Sequence, residues 1–285
     1  MRDDNLTFLQ ENLRYLGFGE AIIFNEDLER EIRNGVSEFQ LKTEARFDEW
    51  TRIEAKLFFR RSDSLDMYFF NKYEAFLMYD DDPRHNKIQT FYITKGRGVT
   101  FKEAFNLLQG RAVYKNLTDP DGAKYHAWIQ LSFSERTPNH TNYKTRHFGE
   151  KYGYDLEKTL ANYPIRELQD ETLKNNLIYS LKKGNAHPVT FLKASKIEKM
   201  YIEACPAFKT IVIYSDVTRA AQRQSLPKEH TIKIGASILS ADPETPSGNG
   251  EKEEGKNEEQ EPPATTLVSA NGSMAKKRSR RPDSL

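Results

Sequence analysis

Apolar positions recur at helical spacing, then at a period of two, and the chain makes this change three times. Leu6, Leu9, Leu13 and Leu16 fall on one face of a helix predicted from about Asp4 to Leu16, which Gly17-Phe18-Gly19 stops. Asn25 is placed to cap a short second helix through Arg33, with Gly35 as its left-handed C-terminal stop. From Phe39 the period becomes two, with Phe39, Leu41 and Thr43 on one side and Gln40, Lys42 and Glu44 on the other. A turn at Asp48-Glu49 leads into strands predicted over Arg52 to Phe59 and Met67 to about Phe76.

The second pass begins at Ile88 and reads as strand, glycine turn, helix, glycine stop, strand. Thr90, Tyr92 and Thr94 alternate with Phe91 and Ile93, and Lys95-Gly96-Arg97-Gly98 breaks the alternation. Thr100 is a predicted N-cap, and Glu103, three residues on, completes a capping box. Phe101, Phe105 and Leu108 form one apolar stripe with Leu107 beside it, and Gly110 ends the helix. Strand character returns over Ala112 to Leu117. The turn Asp119-Pro120-Asp121-Gly122 then leads to a strand from Tyr125 to Phe133 that contains Trp128, and a weaker strand spans Tyr143 to Phe148.

In the third pass Asp155 caps a short helix to Ala161. Asp170 caps a longer helix whose Leu173, Leu177 and Leu181 lie on one stripe, and Gly184 ends it. Strands follow over Val189 to Lys193, Lys199 to Ala204 and Thr210 to Tyr214.

The fold class is therefore α+β, built from three helix-plus-antiparallel-meander (αβββ) units. Their boundaries fall at 1–86, 87–153 and 154–239, with a tail over 240–285. The stop glycines Gly35, Gly110 and Gly184 lie 75 and 74 residues apart, the spacing of an internal repeat. An accidental spacing between common helix-then-meander units stays open. Three such units can join into one continuous sheet with helices on one face.

Composition changes this picture at the C-terminus. Asp242 to Glu261 holds eight acidic residues against Lys252 and Lys256, among Pro, Gly, Ser and Asn. So little apolar surface cannot offset ordering entropy of about 1–2 kcal/mol per residue, so the tail is expected to be disordered. The whole chain carries a net charge of +1, so global charge selects no partner. One cysteine, Cys205, excludes an intrachain disulfide and suits a reducing compartment. No leader-like or membrane-spanning apolar run is present, which predicts a cytoplasmic protein without membrane contact.

Two stretches are candidate sites. Lys95, Gly96, Arg97 and Gly98 lie between a strand and a helix N-terminus, where free N–H groups and two cationic side chains favour an anion. The P-loop pattern is absent, and a glycine turn with two solvated charges explains the same residues. Lys276, Lys277, Arg278, Arg280 and Arg281 form a basic block suited to weak, sequence-independent nucleic-acid contact. A third stretch, Met67 to Tyr73 below Arg60-Arg61, reads either as an aromatic platform for single strands or, preferably, as core. No catalytic, metal or cofactor motif is read from the residues.

Several segments taken together resemble a family of uncharacterised Bacteroidetes proteins often carried on conjugative or integrative elements. They are LTFLQENLRYLGFGE, SDSLDMYFFNKYEA, TFYITKGRGVTFKEAFNLLQGRAVYKNL, YHAWIQLSFSE, YGYDLEKTLANYPIREL, SLKKGN and IEACPAFKTIVIY. The likeness covers nearly all of 5–215, with Gly96 to Lys115 its most specific part, and it implies a cytoplasmic bacterial protein. It brings no catalytic residues. Cys205-Pro206 departs from the Asn-Pro pair expected there. The function expected is a non-enzymatic accessory or interaction protein of a mobile element, acting by contact with a protein or nucleic acid. The alternative is an enzyme acting on a phosphorylated or nucleic-acid substrate near the Lys95 to Gly98 turn.

Overall fold

Helix α1 (Arg2–Leu16) buries Leu9, Leu13 and Leu16, the stripe its spacing requires. A short α2 (Glu20–Ile23) and α3 (Glu26–Asn34) follow; the Asn25 side chain caps α3 through Asp27 N–H, and Gly35 closes it at φ +72°. Strands β1 (Glu38–Ala45), β2 (Thr51–Arg61), β3 (Tyr68–Tyr79) and β4 (Lys87–Tyr92) form one antiparallel sheet in chain order. Helix α4 (Phe101–Leu108) precedes β5 (Val113–Thr118), β6 (Lys124–Arg136) and β7 (Tyr143–Gly149), which make a second sheet. Then come α5 (Leu156–Leu160), α6 (Glu171–Lys182) and a third sheet of β8 (His187–Lys193), β9 (Lys196–Cys205) and β10 (Thr210–Tyr214).

This computed structural model describes residues 2–94, 97–119, 121–193 and 196–215, all within one compact unit. The disordered tail expected from 240, and its basic block, lie outside the described residues. Among the described residues no helix is long and apolar enough to cross a membrane.

The α+β class holds, with helices preceding three small antiparallel sheets. All three stop glycines are left-handed, at φ +72°, +84° and +78°. One continuous sheet is not formed. The interruption has a physical cause at the edges of β4 and β7. Thr90 N–H donates to Asn142 Oδ1 at 2.7 Å, Tyr143 N–H donates to Gln89 Oε1 at 2.8 Å, and Gln89 Nε2 reaches Tyr143 O at 3.4 Å. Side-chain amides thus take the place of a backbone ladder where the first two sheets meet. The stretch read as opening the second unit supplies β4, which pairs with β3 from Lys72 to Leu77, so the first sheet has four strands.

Two cores result. The first packs α1 to α4 on the inner face of the four-stranded sheet and is dominated by rings, among them Phe18, Phe59, Phe70, Tyr73, Phe101 and Phe105. The second gathers α5, α6 and the third sheet around Trp128, Leu160, Leu177, Leu181 and Phe191. The middle sheet serves both, because Ile129 and Leu131 face one core and Trp128 the other. The inward half of the Met67 to Tyr73 run is core, while Phe69 and Lys72 are half-buried and Asn71 is exposed on the other side. Its Tyr68, Phe70 and Tyr73 all point inward because a bulge opposite Phe58/Phe59 shifts the alternation by one residue. Leu173 departs from its predicted stripe. It is 45% exposed in the first turn of α6, and Leu177 and Leu181 of the stripe, with Ile178, carry the packing.

Candidate functional site

Helix α4 positions most of the chemistry. Its capping box forms as the residues predict: Glu103 N–H donates to Thr100 Oγ1 at 3.3 Å, and Thr100 N–H donates to Glu103 Oε2 at 2.9 Å. Glu103 is only 1% exposed, and Lys115 Nζ at 2.7 Å and Lys183 Nζ at 3.0 Å also grip its carboxylate. Burial works to raise its pKa. The two ammonium groups and the Thr100 N–H outweigh burial and hold the carboxyl below its usual range. The protein's own carboxylate therefore stands at this helix N-terminus.

Of the four residues of the anion candidate, Lys95 and Gly96 lie outside the described residues. Thr94 and Arg97 exchange both backbone hydrogen bonds, at 2.8 and 3.0 Å, and Arg97 is exposed. Gly98 is needed for close approach, since a Cβ there would fall 2.7 Å from Ile93 Cδ1 and 3.0 Å from Tyr92 O. Its carbonyl accepts from Lys115 Nζ at 3.0 Å.

A second face of α4 lines a cavity of about 300 Å³. Lys102, Phe105, Asn106 and Gln109 recur at i, i+3, i+4 and i+7. Opposite them stand Phe47, Asp48 and Trp50 of the β1–β2 loop, then Arg111, then Ser180, Asn185 and Ala186 from the end of α6 and beyond. Most neutral polar groups here serve the fold. Asn106 Nδ2 donates to Lys183 O at 2.7 Å and to Asn185 Oδ1 at 2.9 Å, and its Oδ1 accepts from Arg111 Nη2 at 2.7 Å. Gln109 Nε2 donates to Asp48 Oδ2 at 2.8 Å, and Asp48 Oδ1 accepts from the N–H groups of Trp50 and Thr51. Polar side chains of this helix thereby join the loop of the first unit to the end of α6.

Two cations remain at the cavity. Lys102 Nζ lies over the rings of Phe47 and Phe105, 4.3 and 4.5 Å from their centroids. Burial, with the nearby Arg111 charge, lowers its pKa to about 8, partly opposed by Asp48. The Arg111 side chain is 7% exposed and sits 3.7 Å from Glu203 Oε1, and its Nε has no hydrogen-bond partner among the described residues.

No family model, curated protein or solved structure matches the chain. Geometry alone therefore carries the functional reading.

A third cation is buried away from this cavity. Lys87 Nζ has no hydrogen-bond partner among the described residues and lies between the rings of Tyr79 and Phe133, at 5.0 and 4.8 Å. Burial lowers its pKa to about 7, while the two rings favour its charged form and offset part of that penalty. Between pH 7 and the ordinary lysine value the unfolded chain holds the extra proton, so stability rises with pH across that window. Lys87→Met is expected to stabilise the fold at neutral pH by about 1–3 kcal/mol and to remove this rise. Denaturant unfolding at neutral and alkaline pH checks it, and equal pH slopes for both proteins count against it.

Sequence reasoning missed the cavity. The i, i+3, i+4, i+7 recurrence of Lys102, Phe105, Asn106 and Gln109 was the available signal, overshadowed by the stronger apolar stripe one face away.

Proposed function

We propose that the protein is a non-catalytic binding protein that contacts single-stranded nucleic acid through the outer face of its four-stranded sheet. The observation that carries this reading is one row of that face. Gln40, Phe58, Lys72 and Tyr92 are register partners across β1, β2, β3 and β4. Lys72 and Lys56 stand over the Phe58 ring at 4.5 and 5.2 Å, and Tyr92 is 68% exposed. Adjacent strands lie roughly 4.8 Å apart, which sets the two rings about 10 Å from each other. Aromatic side chains interleaved with cations on an open sheet suit stacked bases and a phosphate backbone.

Charge on the rest of the face is largely paired. Arg52 meets Glu44 and Glu54, and Arg60 meets Glu38 and Asp63, so the cationic surplus gathers at Lys42, Lys56 and Lys72, moderated by Glu74 opposite Lys56.

The test is binding of a labelled single-stranded oligonucleotide to the full chain across a salt series. Tyr92→Ala and Phe58→Ala are each expected to weaken it by about 1–3 kcal/mol, the worth of one stacked base. Loss of affinity only on deleting 240–285 would move the contact to the basic tail. No binding at low salt would defeat the nucleic-acid reading.

A further inference from the structure

We infer that the cavity between α4, the β1–β2 loop and the end of α6 is a binding site for a small aromatic monocarboxylate. Its volume, about 300 Å³, is at the small end of ligand pockets. Phe47, Trp50 and Phe105 give it apolar walls, and Trp50 remains half exposed beside it. Among the lining donors without an acceptor in the described residues, two are cationic, the Lys102 ammonium and the Nε–H of Arg111, a side chain more than nine-tenths buried; the Trp50 indole N–H is a neutral third. Both cations stand over the same ring, since Arg111 Cζ lies 5.5 Å from the Phe105 centroid. Two like charges over one ring repel, and an anion between them relieves that repulsion.

The surrounding carboxylates set the size of that anion. Asp48 lines the cavity with both oxygens already accepting hydrogen bonds, and Glu203 stands behind Arg111, where it also accepts from the Tyr214 hydroxyl. Two positive and two negative charges cancel, so net charge draws no dianion, and an anion here depends on the unpartnered donors themselves. A monoanion with two oxygens suits this balance, held by the Lys102 ammonium at the cavity with the buried Arg111 guanidinium behind it, and a flat ring suits the aromatic wall. Asn106, Gln109 and Asn185 are held by bonds to one another's elements, so the lining is built before a ligand arrives.

Benzoate, neutral benzamide and phenyl phosphate, titrated into the full-length protein and read by tryptophan fluorescence, with a Trp128→Phe variant isolating Trp50, test the assignment. Benzoate is expected to bind saturably. Benzamide should bind more weakly by about tenfold or more, the weight of one charge-assisted hydrogen bond. Phenyl phosphate should not exceed benzoate. Lys102→Met keeps the apolar stem and should reduce benzoate affinity about tenfold without lowering the unfolding midpoint. Affinity for the wild type should also fall as pH rises through about 8, where Lys102, flanked by Arg111 and Asp48, loses its proton. Arg111→Gln should weaken benzoate as well, and the Lys102 variant keeps the test decisive if that protein does not fold. Equal binding of benzamide, tighter binding of phenyl phosphate, an unaffected Lys102→Met variant, or no saturable benzoate signal would each overturn the assignment. The site uses no residue of the outer sheet face, so its failure and that of the nucleic-acid reading are separable.

Discussion

Glu103→Ala should destabilise the fold by about 3–5 kcal/mol, the cost of breaking a buried charge pair by removing one partner. The Lys115 side chain, 15% exposed, would keep only the Gly98 carbonyl in place of the carboxylate, and the Thr100 N–H would lose its cap. Lys183 would lose its partner across the join between α4 and the end of α6. Glu103→Gln keeps an acceptor for Thr100 and isolates the charge. Because the folded carboxyl titrates below its unfolded value, its contribution is present above the ordinary carboxylate range and is lost as pH falls through the lower, folded pKa. The wild type should therefore lose stability in acid more steeply than the Gln variant. Guanidinium unfolding curves from neutral to acidic pH measure this, and parallel curves for the two proteins would remove the carboxylate from the explanation.

Phe105→Ala should cost about 3–5 kcal/mol, the range for a buried ring truncated in a core that collapses only partly. The ring is 1% exposed and packs at 5.1 Å from Phe47, beneath Lys102 and beside Arg111. Leu173→Ala is the control, an apolar truncation on an exposed helical position expected to fall within about 0.5 kcal/mol. Urea midpoints at constant m value compare the two. Similar costs would take α4 out of the centre of the fold.

Local chemistry was legible in the chain where neighbours in sequence decide it. Thr100 and Glu103 announce their capping box because the two residues meet within one turn. Asn25, Asp155 and Asp170 announce helix starts, and each side chain accepts from a backbone N–H of the first turn. What Glu103 does beyond its cap was not legible, because its partners lie 12 and 80 residues away. Its apolar stripe predicts an amphipathic helix, yet Glu103 and Asn106 are as buried as Phe101, since elements on opposite sides cover it. Strand character from Ile88 onward was plain, while its pairing with β3 depended on a long-range choice that periodicity does not encode. The aromatic row of the outer face was hidden for the same reason. Phe58, Lys72 and Tyr92 are scattered in sequence, and only the bulge and register bring them into line. The split between the first two sheets turns on Gln89 and Asn142, two amides unremarkable by composition.

The neighbour-to-neighbour strand order of all three sheets has a kinetic consequence. Every ladder closes a short loop, so each meander can zip without waiting for distant chain. The bonds that join the meanders are few and long in sequence: Thr90 to Asn142 across 52 residues, Gln109 to Asp48 across 61, Asn106 to Asn185 across 79. Sheet formation should therefore run ahead of docking. The rate of folding would then be set by how quickly preformed meanders find one another around α4, with its polar side chains as the last contacts to lock.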